Sequence, residues 1–102
     1  MNYVLDQYRL PMEAPVGHYC EFGLTLRAGS QILGCFTAKG ERQASLWLRK
    51  VQDTGVPSTQ YRFLVFEGDC EGEVFTGDPR LSFIGTYQGT KVPMNLFLVE
   101  QQ

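Results

Sequence analysis

In the stretch YCEFGLTLR, residues 19–27, Cys20, Phe22, Leu24 and Leu26 alternate with Tyr19, Glu21, Gly23, Thr25 and Arg27. Side chains of an extended chain point to opposite faces at successive residues, so a strict two-residue period places the first set on a core and the second toward solvent. The segment reads as a half-buried β-strand. The chain on either side repeats the pattern. Gly29-Ser30 offers a turn, and QILGCFTAK (31–39) reads as a second strand in which Gly34 marks a bulge.

QASLWLRK (43–50) alternates again, directing Leu46 and Leu48 inward and Ser45, Trp47 and Arg49 outward. VQDTGVPSTQ (51–60) collects Asp, Gly, Pro, Ser and Thr and is expected to form a flexible loop. YRFLVFE (61–67) is apolar on both faces apart from Arg62, as suits a central strand covered on both sides. LSFIGTYQ (81–88) and VPMNLFLVE (92–100) follow, joined by a Gly89-Thr90 corner, with Pro93 near a strand start, where a missing N–H is tolerated. NYVLDQYRL near the start reads as an edge strand, and Pro11 and Pro15 make the rest of residues 1–18 an extended connector.

A chain of 102 residues, 43% apolar and 20% charged, is expected to be one globular domain spanning 1–102. Short strands at hairpin spacing predict an all-β barrel or sandwich of about six to eight antiparallel strands. The strand-and-turn order is similar to that of small oligonucleotide-binding barrels, and such a barrel is the favoured architecture. No apolar run is long enough to span a bilayer as a helix, and the first residues show neither a basic leader nor an apolar signal core. The expected location is therefore the cytoplasm, with no membrane partner.

The formal charge of −2 conceals two oppositely signed regions. Residues 19–50 carry five cations against two carboxylates, a net of +3, whereas residues 61–78 carry Arg62 against Glu67, Asp69, Glu71, Glu73 and Asp78, a net of −4. In the positive half the outward positions mix aromatic and cationic groups: Tyr19 with Arg27, and Trp47 with Arg49. Single-stranded nucleic acid needs cations for its phosphates and π-faces for its bases, and these residues supply both, with Phe97 and Lys91 extending the surface. Two observations weigh on the other side. The pI is about 5.3, a poor footprint for phosphates, and a large amphipathic side chain such as Trp47 could simply lie beneath the 51–60 loop.

The acidic half supports a rival reading. VFEGDCEGEVFTGD (65–78) holds five carboxylates and no cation. Glu67, Asp69, Glu71, Glu73 and Asp78 would present a negative patch to a basic protein, as in an inhibitor or adaptor, with the aromatic positions forming a partner or self-association contact. Gly68 and Gly72 argue that the segment is a turn whose carboxylates fan into water. The glycine spacing does not fit a calcium loop, and no helices flank it, so no metal is assigned.

Chemistry finds little purchase. His18 and Cys20 would need a third, orienting group to act as a nucleophile pair, and alternation sends Cys20 to the core. Cys20, Cys35 and Cys70 are an odd number at long spacings, best read as free thiols, and they lack the close pairs of a zinc site. No glycine-rich phosphate loop occurs. The expectation is a non-enzymatic binding module without cofactor, taking single-stranded nucleic acid or, on the rival reading, a basic protein partner.

Overall fold

The computed structural model describes residues 2–14, 19–68 and 80–100. Seven strands, and no helix among the described residues, run β1 (Tyr3–Arg9), β2 (Tyr19–Arg27), β3 (Gln31–Phe36), β4 (Ser45–Val51), β5 (Ser58–Glu67), β6 (Leu81–Gln88) and β7 (Pro93–Val99). They form two antiparallel sheets, which we label A (order β1-β4-β3) and B (order β2-β5-β7-β6). Because β5 and β6 both run antiparallel to β7, they are parallel to one another.

The two sheets share one core. Leu46 and Leu48 of sheet A, at 0% and 3% exposure, meet Phe63, Val65, Tyr87, Met94 and Leu96 of sheet B. Alternation in β2 holds as read, with Cys20, Phe22, Leu24 and Leu26 packed inward and Tyr19, Glu21, Gly23 and Thr25 exposed. β5 is buried on consecutive residues, Phe63, Leu64 and Val65, as expected of a central strand flanked by β2 and β7.

Several strand limits change, among them those of β4, which spans Ser45–Val51 rather than 43–50, and β1, which spans Tyr3–Arg9 rather than 2–10. The 51–60 segment is a loop only at residues 52–57, because Thr59 and Ser58 extend β5 to pair with Leu26 and Arg27. The turn-forming residues there compete with strand structure, and the open partner edge of β2 wins locally. β3 stops at Phe36 rather than Lys39, since a turn closed by Glu41 N–H on Ala38 O takes over. The last strand begins at Pro93. The bulge at Gly34 is present: register shifts between Ile32 and Gly34, and Gly34 adopts φ 142°, a conformation open to glycine but strained for other residues.

The connector after β1 is tied down at three points. Leu10, fully buried, donates its N–H to Ala44 O; Thr90 N–H reaches Met12 O; and Tyr87 Oη donates to Pro11 O at 2.5 Å. Burial, with smaller contributions from Cys20 and Cys35, pushes the Tyr87 phenol well above its ordinary value. A raised folded-state pKa means that the contribution is complete below the unfolded value near 10 and is lost as pH rises beyond it. Tyr87→Phe is therefore expected to cost about 1 kcal/mol at neutral pH, through the lost hydrogen bond. Urea denaturation at pH 7 and pH 11 should show the gap between wild type and variant closing at the higher pH; a constant gap contradicts the assignment.

Candidate nucleic-acid interface

Sheet A turns a distinctive face away from the core. Where Leu46 and Leu48 look inward, their neighbours Ser45, Trp47 and Arg49 lie on the other side of the strand, but only Arg49 is exposed: Trp47 is half-buried, and Ser45, expected outward, is buried at 5% exposure. Cross-strand pairing aligns the three with residues of β1 and β3. The first rung is Arg9–Ser45–Phe36, the second Gln7–Trp47–Gly34 and the third Leu5–Arg49–Gln31. Successive rungs lie about 7 Å apart, since each advances two residues along the strands. None of these nine residues carries a carboxylate.

Aromatic contacts organise the face. Phe36, 51% exposed, stacks on Trp47 with ring centroids 5.2 Å apart and planes 5° from parallel. The Arg49 guanidinium sits over the Tyr3 ring, 4.3 Å from its centre, a cation–π contact. Leu5 and Leu33 are also exposed at the margins. Trp47 itself is half-buried, and its Nε1–H, shielded from solvent, meets no acceptor among the described residues. The indole is thus neither sunk in the core nor fully open: one side is covered by Phe36, and it is held in a strand whose inward residues are fixed.

The six residues expected to share one binding surface do not. Trp47 and Arg49 lie on the outer face of sheet A. Tyr19 and Phe97 lie on the outer face of sheet B, in a row of ring contacts that crosses all four strands: Tyr19–Phe66 at 5.7 Å, Phe66–Phe97 at 5.7 Å and Phe97–Phe83 at 5.4 Å. Lys91 is exposed in the β6–β7 turn, and Arg27, at the end of β2, donates from Nη1 to Gln52 O at 2.6 Å. The expectation of one continuous surface is corrected because β2 and β4 belong to different sheets, whose outward sides face opposite ways.

Sequence reasoning missed Phe36, Arg9 and Tyr3 on sheet A, and Phe66 and Phe83 on sheet B. For Phe36 the signal was present. Uninterrupted alternation from Gln31 puts Phe36 with Ile32, but the bulge at Gly34 inserts one residue and reverses its face. A second bulge, between Phe83 and Gly85, does the same in β6, leaving Phe83 outward at 61% exposure and Tyr87 inward.

Charge segregates with the sheets. β1, β3, β4 and the 37–44 hairpin carry Arg9, Lys39, Arg42, Arg49 and Lys50 against Asp6 and Glu41, a net of +3, whereas the strands of sheet B balance Arg27 and Arg62 against Glu21 and Glu67. Arg62 Nε donates to Glu21 Oε1 at 2.7 Å, and that contact first, with the attraction of the charge after it, holds Glu21 below the ordinary carboxylate value. Of the acidic stretch, Glu67 ends β5; Asp69, Glu71, Glu73 and Asp78 lie outside the described residues, as do His18 and Cys70. Cys20 and Cys35 are free thiols, and burial pushes both upward, Cys20 further through the nearby Glu67 charge, which keeps them protonated and weakly nucleophilic at neutral pH. Among the described residues, no three potential metal ligands gather.

The chain matches no family model, no curated protein and no solved structure.

Proposed function

We propose that this protein is a non-enzymatic binding module that holds single-stranded nucleic acid across the outer face of sheet A. The observation that carries the reading is the carboxylate-free ladder in which exposed Phe36 stacks on Trp47, with Arg9 in the rung of Phe36 and Arg49 in the rung beyond Trp47. A base stacks on the open side of Phe36, and the two guanidiniums take phosphates on either side of it. Lys39 and Arg42, in the hairpin beyond the first rung, extend the cationic track. The bulge serves this arrangement directly, since without the reversal at Gly34 the Phe36 ring would turn inward.

Trp47 is the single tryptophan, so its fluorescence reports on this face alone. Titration with a single-stranded oligonucleotide should change Trp47 emission, and affinity should fall with salt. Single strands lose about 0.7 in log–log slope per phosphate neutralised, so Arg9 and Arg49 alone predict a slope of about −1.4, and Lys39 and Arg42 would steepen it to about −2.8. Arg49→Gln should reduce the slope by about 0.7. Phe36→Ala should weaken binding by about 1–3 kcal/mol, the usual range for one stacked base. Unchanged emission with no salt-dependent binding would exclude the reading. The competing protein-contact function then takes precedence, supported by the ring row on sheet B and its exposed Phe83.

A further inference from the structure

The open edge of β1 shows an arrangement that the nucleic-acid reading does not use. Leu10 N–H reaches Ala44 O, and Gln52 N–H reaches Asn2 O, which assigns the even-numbered residues of β1 to the ladder with β4. The odd-numbered residues, Tyr3, Leu5, Gln7 and Arg9, therefore turn their backbone N–H and C=O groups to the side of β1 on which no strand pairs among the described residues. This edge runs seven residues without proline, lysine or bulge, and Leu5 on it is 62% exposed. The opposite edge of the sheet, β3, is interrupted by its bulge. An uninterrupted edge of this kind is a template for an incoming strand.

One side chain stands in the way. Asp6 Oδ1 accepts the outward N–H of Gln7 at 2.8 Å, while Oδ2 accepts Lys50 Nζ at 3.2 Å. The Gln7 N–H first, and Lys50 after it, hold the Asp6 carboxyl below its ordinary value, so it is ionised at neutral pH. An anchored charge that occupies an edge donor is a device by which sheets resist edge-to-edge pairing.

We propose that β1 is a strand-addition edge for a second copy of this chain and that Asp6 keeps it closed. With the carboxylate removed, two β1 strands pair antiparallel about Leu5, and Tyr3 of each exchanges backbone hydrogen bonds with Gln7 of the other. This register favours a second copy over an unrelated strand. It covers the exposed Leu5 with its own counterpart, sets Val4 against position 6, and opposes no like charges between residues 3 and 7. The product is a continuous six-stranded sheet in which the outer faces of two copies of sheet A become one surface.

Equilibrium sedimentation across micromolar to submillimolar concentrations tests this. The wild-type chain should remain monomeric, and Asp6→Ala should double in mass with at least a tenfold stronger self-association. Adding Leu5→Pro to Asp6→Ala should restore the monomer, because a proline at position 5 removes only an outward-facing N–H and leaves the ladder to β4 intact. Should the alanine variant fail to fold by circular dichroism, Asp6→Val, which suits a strand better, replaces it. A folded Asp6 variant that stays monomeric overturns the proposal. So does a double variant that still dimerises, or a wild-type chain already dimeric through β1.

Discussion

Phe63→Ala is expected to lower the unfolding free energy by about 3–5 kcal/mol, the usual cost of deleting a fully buried aromatic ring. Phe63 is the largest completely buried side chain among the described residues. Its ring stacks on Phe22 with centroids 4.9 Å apart and planes 10° from parallel, and Phe22 stacks in turn on Tyr8 at 4.8 Å and 18°. Phe22 and Phe63 are direct cross-strand partners in sheet B, and Tyr8 belongs to β1 of sheet A. The three rings therefore form a continuous stack from one sheet to the other. Removing the inner one leaves a cavity that a backbone fixed by β2 and β7 on either side cannot close. A domain of this size has about 5–15 kcal/mol of total stability, so the variant should be marginally folded, with a melting temperature depressed by about 4–8 °C per kcal/mol lost. Phe63→Leu keeps most of the volume and should cost much less. Thermal and urea unfolding followed by Trp47 emission measures both, and a loss under about 1 kcal/mol for the alanine variant would show that the core closes around the missing ring.

Gly89→Ala should be the most damaging change of a single methyl group. A Cβ there would fall 2.7 Å from Met12 O, 2.7 Å from Val92 O and 2.8 Å from Met94 Cγ. Neither carbonyl is free to retreat. Val92 O accepts Gly89 N–H, and Met12 O accepts Thr90 N–H, the bond that straps the β1–β2 connector to the β6–β7 turn. Insertion into so closed a site costs about 1–3 kcal/mol, with the larger value expected where backbone must move. Gly55→Ala is the control: nothing lies within 4 Å of its Cβ position and its φ is not positive, so that variant should match wild type or gain a few tenths of a kcal/mol from a stiffer unfolded chain. Equal melting temperatures for the two variants would mean that the strap is loose.

The candidate interface divides along the same line as the fold between what the chain spells out and what it does not. Leu46 and Leu48 inward, Trp47 and Arg49 outward, follow from period-two alternation alone. Arg9 and Tyr3 could not be added, because nothing local in NYVLDQYRL names β4 as its partner some 40 residues away. Phe36 lay one step further off: the bulge was readable from Gly34, and its consequence for every residue beyond it had to be carried through.

By itself the sequence determined the strands, the full limits of β2 and β6 and, wherever alternation runs unbroken, which side chains enter the core. These are properties of a pleated backbone and of the few residues on either side. The tertiary structure alone decided that β2 and β4 join different sheets, which sends Tyr19 and Trp47 to opposite surfaces, and that the Asp6 carboxylate takes the outward N–H of Gln7 on β1. Sheet membership is set by long-range pairing and by burial of a shared core, and neither leaves a mark on the local pattern.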